Sequence, residues 1–358
     1  MAIHVLHPAP EQLAYTFGGT QPLISIDPGD IVEVFTEDCF GGQVTSADQI
    51  ASQVVVSEQL DSVSGPIYVN GAEVGDLLAV HFVSIRPARD FAISAIFPGF
   101  GALGATNETA MLHEPLEERT WRYDIDVDHW TATFRAHNSD FTATFPLDPM
   151  HGVIGVAPAG HEARLATTPS YYGGNMDSPE LRAGTTVYFP VSVPGALLAL
   201  GDGHARQGEG EIIGSGLESA MNTVIAVELV KGRAPAWPRY ENDEYLMSAG
   251  SVRPLDDALR ISQKDMVEWV AELTGMDLLD SYQFVSQTVL TPVANMVDPN
   301  FTVVAKLAKA YLGEKAQSVY GGVHARLSAL AKDYLESHAQ PPSVKQPRGR
   351  FVWPTHSA

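Results

Sequence analysis

The chain has 358 residues, of which 45% are hydrophobic and 18% charged, values that are ordinary for a folded protein with a sizeable core. Its 43 acidic and 22 basic residues give a formal net charge of −21. A body this acidic repels phosphate backbones, which argues against a nucleic-acid partner and leaves neutral molecules and divalent cations as ligands. The 31 glycines and 24 prolines indicate many turns and favour a β-rich fold.

The cysteine content and the hydropathy bear on where the protein works. Cys39 is the one cysteine, so no disulfide can form within the chain. The opening sequence MAIHVLHPAPEQ lacks the basic segment and apolar core of a secretory signal. No apolar run reaches the roughly 18 residues that span a bilayer. We therefore expect a cytoplasmic protein with no membrane partner.

Residues 1–235 have the pattern of strands separated by turns. The turn sequence DPGD precedes an apolar run at 31–35, VGD precedes another at 77–82, and AGT precedes a third at 187–191. The spacing of these units is irregular, which argues against a solenoid. It predicts successive strands of a β-sandwich or barrel.

Beyond about residue 255 the apolar spacing becomes helical. Ser262 is the expected N-cap of a first helix that ends at Gly275. Further helices are predicted over 277–289 and 323–335, and the last stretch is rich in proline and basic residues. The predicted parts are a β-sandwich core carrying the catalytic motif, a mixed helical portion and a proline-rich tail, at 1–255, 256–338 and 339–358.

The densest group of potential metal ligands lies in the segment GDGHARQGEGE at 201–211, which Glu218 follows. In an extended chain Asp202 and His204 project to the same side, and the glycines allow turns that bring acidic groups together. One imidazole with carboxylates suits zinc or another borderline divalent cation. Such a run is commonly a solvated loop, but this one lies between two apolar segments whose packing would constrain it.

The segment GALLALGDGHARQGEGEIIGSGLE also resembles the signature of the acetamidase/formamidase family, in which a GD-x-H element precedes a QG-x-GE element and a later Glu. Other segments agree with the family in chain order: SGPIYVNGAEVGDLLAV (64–80), HGVIGVAPA (151–159), GGNMD (173–177) and DLLDSYQFVSQT (277–288). The resemblance covers about residues 25–305. Residues 61–63 are Asp-Ser-Val where the family usually has Asn-Pro.

This resemblance implies a fold and an activity. The fold is mainly β, a jelly-roll-like β-sandwich with an additional α/β C-terminal portion. The activity is hydrolysis of a small neutral amide, such as formamide or acetamide, to carboxylate and ammonia. Members of the family associate, so a homo-oligomer is also expected.

Amide hydrolysis needs a strong nucleophile, an oxyanion stabiliser and a proton for the departing nitrogen. A bound cation supplies the first two by lowering the pKa of water towards about 7 and polarising the carbonyl, and a carboxylate can move the proton. We expect zinc, with calcium as the alternative. The predicted roles are metal ligands for Asp202, His204, Asp38 and Glu218, catalytic carboxylates for Glu211 (the proton shuttle) and Glu218, and substrate binding for Asn175, Asp177 and Gln207.

Several other residues are further candidates for the site. Cys39 is an alternative nucleophile, as in amidases that use a cysteine activated by Glu and Lys, although a small buried thiol is the commoner role and no lysine lies nearby in sequence. His81 and His151 lie at apolar stretches and are predicted to be core histidines. His113 and Glu114 are weak candidates on any interpretation.

Two alternative functions stay open from the sequence. One is cysteine-dependent amide hydrolysis through Cys39. The other is a non-catalytic sandwich protein that binds a small ligand or calcium, which the many carboxylates would suit.

Overall fold

The computed structural model describes residues 1–104 and 116–338, so His113, Glu114 and the predicted tail lie outside the described residues. Strands dominate the described ranges. In chain order they are β1 Ile3–Leu6, β2 Thr16–Phe17, β3 Ile24–Ile26, β4 Ile31–Thr36, β5 Val63–Val69, β6 Leu77–Pro87, β7 Phe91–Ile96, β8 Arg119–Asp126, β9 Thr131–Arg135, β10 Thr142–Pro146, β11 Met150–Gly155, β12 Arg164–Leu165, β13 Gly173–Asn175, β14 Thr186–Pro190, β15 Leu198–His204, β16 Met221–Val230, β17 Arg239–Glu241, β18 Tyr245–Val252, β19 Val293–Asn295 and β20 Phe301–Ala308.

Four α-helices accompany these strands within the described residues. They are α1 Ala51–Val54, α2 Leu255–Thr274, α3 Leu278–Thr288 and α4 Val323–Ser337. None of them is long and apolar enough to cross a membrane. The expectation of a mainly β fold with a helical C-terminal portion is confirmed.

The larger sheet has nine strands in the order β1-β4-β16-β6-β14-β17-β18-β20-β19, with β1 and β4 parallel and the other neighbours antiparallel. Its long strand β6 is buried on both faces, which explains why this segment is continuously apolar in sequence. Leu78, Val80 and Phe82 face one hydrophobic cluster, and Leu77 and Ala79 face another. Each of these leucine, valine and phenylalanine side chains contributes about 1.5–3 kcal/mol by its burial.

A second sheet of five strands, in the order β13-β11-β15-β5-β3, packs on the first to form the sandwich. Val153 and Ile154 of β11 and Leu198 and Leu200 of β15 belong to the same buried cluster as Phe82. A four-stranded sheet, β10-β9-β8-β7, adds a further unit. Strand β15 therefore lies in the interior with neighbours on both sides.

The helices cover the outer face of the nine-stranded sheet. Helix α4 packs Val323 and Leu327 against Ile31 and Tyr188. Helices α2 and α3 pack on β18 and β20, where Trp269 is fully buried. The result is a three-layer arrangement of sheet, sheet and helices.

The predicted start of the first C-terminal helix is wrong. Helix α2 begins at Leu255 after Pro254, and Ser262 is buried inside it, where its hydroxyl donates to the carbonyl of Leu259. Proline at the helix start and the acidic residues of the first turn set the true beginning. The predicted end is confirmed, because Gly275 has a left-handed φ of 79°.

The other two helices agree closely with expectation. Asp277 caps α3 by accepting hydrogen bonds from the amides of Leu279 and Asp280, and α4 begins at Val323. Strand β20, within the portion predicted at 256–338, pairs along its length with β18 of the preceding portion. The proposed division of the chain at 255 stays a prediction.

Candidate active site

Strand β15 positions the two residues at the centre of the predicted motif. Nε2 of His204 lies 3.1 Å from Oδ1 of Asp202, so the two side chains predicted to share one side are in contact. Asp202 has a φ of 47°, in the left-handed region, which departs from regular strand geometry. His151 of the neighbouring strand lies 2.7 Å from the carbonyl oxygen of Gly201 and so supports this bend.

Carboxyl groups from several separate segments converge around this pair. The buried acids of the site are Asp61, Asp177, Asp202, Glu211, Glu218 and Asp298, all at most 8% exposed. Four of them have left-handed backbone conformations that non-glycine residues rarely adopt, namely Asp61, Asp177, Asp202 and Glu211. Strain of this kind costs about 1–3 kcal/mol per residue and is concentrated at functional sites.

Glu218 joins the centre from the end of the loop that follows β15. Its Oε2 lies 3.1 Å from Nε2 of His204, and its Oε1 accepts a hydrogen bond from the amide of Gly216 at 2.6 Å. Its backbone forms bridges to His204 and to Ile93 of β7. Asp177 also approaches the imidazole, with Oδ1 at 3.9 Å from Nε2. His204 Nε2 is thus surrounded by three carboxylates.

Gln207 orients the imidazole. Its side-chain amide donates to the carbonyls of Asp177 and Ala294 at 2.6 and 3.1 Å, which places its own oxygen 2.9 Å from Nδ1 of His204. In the neutral ring Nδ1 therefore carries the hydrogen, and Nε2 has a free lone pair directed at the carboxylates. Gln207 was predicted to bind substrate, and these contacts show that it also positions His204.

The pKa values of the site residues are shifted by burial and by neighbouring charges. Burial raises the pKa of Glu218 to about 8 and that of Asp177 to about 6. Burial also opposes ionisation of Asp202 and His204, but their mutual attraction lowers the pKa of Asp202 and raises that of His204. The site is therefore short of positive charge.

The carboxylate cluster has space for a cation and oxygen atoms that could bind it. Several buried side-chain oxygens have no hydroxyl, amide or basic donor among the described residues: both of Asp177, and Oε2 of Glu211 and of Glu218. A Cβ added to Gly152 would lie 2.2 Å from Oδ1 of Asp177 and from Oδ2 of Asp202, so a side chain there would fill the space between them. Ligand atoms of Asp177, His204 and Glu211 lie within 4.8 Å of one another.

The structure gives Asp38 partners outside this cluster. Its Oδ2 accepts a hydrogen bond from Arg89 at 2.7 Å, and its Oδ1 accepts one from the amide of Gly42 at 2.9 Å. Asp38 thus holds the turn after β4, and its predicted role as a ligand gains no support from these contacts. Cys39, the next residue, is buried, and burial raises the pKa of its thiol well above the usual value.

Asn175 lies at the edge of the cluster. Its side-chain nitrogen donates to Oδ2 of Asp61 at 3.4 Å, while its Oδ1 is buried and accepts no hydrogen bond. His151 and His81 are buried core histidines, as predicted, and each contacts a threonine hydroxyl, at 2.7 and 2.9 Å.

Two acids of the site were not predicted from the sequence. Asp61 opens the Asp-Ser-Val segment before the SGP block, where the expected Asn-Pro is missing, so that departure was the available signal. Asp298 lies between β19 and β20, and its carboxyl contacts that of Asp177. No local spacing links it to the motif, because the sheet order alone brings it there.

The model of the Acetamidase/Formamidase family matches residues 19–167 and 159–259. These ranges contain β15, Asp177, Glu211 and Glu218, whereas the block at 277–288 and Asp298 lie beyond them. The chain belongs to the acetamidase/formamidase family.

Particular relatives agree with this assignment. The crystal structure of an acetamidase from Yersinia enterocolitica is 38% identical with a TM-score of 0.81, and the match covers 87% of this chain and 93% of that one. The formamidase of Methylophilus methylotrophus is 28% identical over 257 residues, which are 59% of this chain and 62% of the relative. A putative formamidase of Schizosaccharomyces pombe is 26% identical over 260 residues, with 58% and 61% covered. The chain thus spans about three fifths of these curated relatives.

Proposed function

We propose that the protein hydrolyses short linear amides, such as formamide and acetamide, to carboxylate and ammonia, with water activated by a divalent cation held at His204. The observation that carries the proposal is the approach of three buried carboxylates to within 3.9 Å of one imidazole nitrogen. The relatives named formamidase and acetamidase support the substrate class. Homo-oligomerisation stays a prediction that analytical ultracentrifugation can check.

The residues present fit a cation. Buried carboxylates without compensation are costly, so they are normally paired with a cation, bound to a metal or neutralised by protons. Among the described residues, the side chains that contact the oxygens of Asp177 include two further carboxyls, Glu211 and Asp298, and Gln207 leaves Nε2 of His204 available to bind a cation. Asp202, His204 and Glu218 would hold the ion together with Asp177.

The donor set favours zinc over calcium. Calcium takes oxygen ligands almost exclusively, whereas an imidazole with carboxylates is a common set for zinc. When bound, the cation supplies a Lewis acid that increases the acidity of water and polarises an amide carbonyl. The sequence also left open a calcium-binding protein without activity. A ligand set that includes His204 suits that function less well.

Protein side chains would perform the remaining steps. Glu211 faces the cluster with Oε2 free of hydrogen bonds, in a position to carry a proton from water to the departing nitrogen. The free Oδ1 of Asn175 can accept a hydrogen bond from the amide nitrogen of the substrate. A neutral substrate needs no basic pocket, which agrees with the acidity of the site.

The environment of Cys39 argues against the cysteine-dependent alternative. Burial and the neighbouring acids Glu218 and Asp202 raise the pKa of its thiol, so the reactive thiolate is disfavoured. A nucleophilic cysteine is usually activated by a nearby positive charge or a base, and the acids around Cys39 have the opposite effect.

Two variants test the proposal. His204→Ala should lose the cation held at His204 and amide turnover together, while circular dichroism shows a folded protein, because apolar burial stabilises the sandwich. Glu211→Gln should keep the metal and lose about 10²–10⁴-fold in kcat, as expected for a lost general acid or base. Elemental analysis and ammonia release from formamide and acetamide measure both quantities.

Glu209→Gln is the matched control for Glu211→Gln. Glu209 belongs to the same loop two residues earlier, but its side chain is exposed, so metal content and turnover should stay close to those of the unmodified protein. Full activity in metal-free protein, or in His204→Ala, would refute the proposed mechanism. Metal binding without turnover of any amide would favour the non-catalytic alternative.

A further inference from the structure

A second group of ligand atoms lies beside the first. Sγ of Cys39 and one carboxylate oxygen each of Asp202 and Glu218 lie within 4.8 Å of one another. This group is separate from that of Asp177, His204 and Glu211. Its three side chains come from the turn after β4, from β15 and from the loop that follows β15, all of them buried.

A buried oxygen of Glu218 indicates that this group is missing a bound cation. Its carboxylate is 1% exposed, and Oε2 accepts no hydrogen bond although Nε2 of His204 is 3.1 Å away. Because Gln207 holds the ring hydrogen of neutral His204 on Nδ1, Nε2 offers no N–H to Oε2 of Glu218. A buried anionic oxygen without a donor is expensive, and a cation would satisfy it.

The charge of the whole site supports the same conclusion. The described acids of the centre are Asp61, Asp177, Asp202, Glu211, Glu218 and Asp298. One divalent ion offsets only a third of the charge that these six groups carry when ionised. A second ion beside Cys39, Asp202 and Glu218 would offset a further third without any new basic residue.

We propose that the active site holds two divalent cations, the second bound by the thiolate of Cys39 with Asp202 and Glu218. Asp202 and Glu218 would contribute to both sites, because each also approaches Nε2 of His204 to 3.1 Å. Binding displaces the thiol proton to solvent, so the sulfur acts as a ligand. A thiolate selects zinc or a similar borderline cation and rejects magnesium and calcium.

The backbone around Cys39 is arranged to hold the sulfur in place. The amide of Asp61 donates to the carbonyl of Cys39 at 3.1 Å, and Asp38 anchors the following turn through Gly42 and Arg89. Phe40 and Val44 bury the same segment. These contacts fix the position of the thiol before any ion binds, which lowers the entropic cost of coordination.

Cobalt provides a direct test, since sulfur bound to Co²⁺ gives a near-ultraviolet charge-transfer band and the chain has a single cysteine. The full-length protein is stripped with a chelator and titrated with Co²⁺, and cobalt per chain is measured after desalting. We expect two Co²⁺ per chain and the sulfur band. Cys39→Ser should bind one Co²⁺ without the band, and His204→Ala should bind one Co²⁺ and keep the band.

The inference rests on the proposed function, but the two can fail separately. One Co²⁺ per chain without the sulfur band would overturn the second site and leave the cation at His204 intact. One Co²⁺ with the band, lost in both variants, would mean a single site and would also overturn the two-cation proposal. No Co²⁺ in the unmodified protein would refute both. Circular dichroism of each variant confirms that lost binding is not lost folding.

Discussion

Gly152 offers a test of the site that changes no ligand. In the Gly152→Ala variant the new methyl group would lie 2.2 Å from one oxygen of Asp177 and one of Asp202. Both carboxylates must move by about 1 Å to reach an ordinary contact, and a misplacement of that size costs about 10²-fold in rate. We therefore expect kcat/KM for acetamide to fall by about 10²-fold or more, with weaker metal binding.

The fold should survive this substitution. Gly152 lies in β11 between two strands of the sandwich, and its carbonyl accepts hydrogen bonds from the amides of Met176 and Asp177, which alanine retains. Overpacking of this kind costs about 1–3 kcal/mol. Gly208→Ala is the control, since a methyl group there meets nothing within 4 Å. Unchanged kcat/KM and metal content in Gly152→Ala, measured beside that control, would refute the described arrangement of the two acids.

Three further predictions concern other residues. Asn175→Ala should raise KM for acetamide about tenfold with a smaller change in kcat, because one hydrogen bond to the substrate is lost; an unchanged KM contradicts that role. Mass spectrometry of acid-quenched turnover should find Cys39 unmodified, whereas an acyl thioester would establish covalent catalysis. Burial lowers the pKa of His81 to about 3, so the unfolded chain binds the proton first and stability falls as pH drops below about 6.5. The loss due to His81 should reach about 2 kcal/mol by pH 5, and urea denaturation of His81→Gln should lack that share of the slope.

The strand that carries the site could be predicted because its signals are local. The spacing of Asp202 and His204 and the two flanking apolar segments all lie within about forty residues. The same holds for α3, whose cap residue Asp277 stands directly before the helix. The start of α2 was predicted wrongly, because Ser262 has a residue type common at helix caps, whereas the helix begins after Pro254.

The remainder of the site depends on contacts between distant segments. Asp298 reaches Asp177 only because β19 and β20 extend the nine-stranded sheet, an order that spacing does not reveal. The hydrogen bond between Gln207 and His204 depends on where the carbonyl of Ala294 lies, which is equally remote in sequence. The left-handed backbone conformation of acids such as Glu211 is also unpredictable, since local propensity opposes it.

Because local propensity opposes these left-handed conformations, the surrounding fold must maintain the site. A left-handed acid would relax if its segment were free, and repulsion among buried carboxylates would push them apart. Asp202 cannot relax because β15 is paired on both sides, with β11 and β5, and Asp177 is tied to β11 through the carbonyl of Gly152. The apolar packing of the sandwich thus offsets the cost of holding the acids together. A cation that binds there encounters ligands already converged, so little of its binding energy is spent on rearrangement.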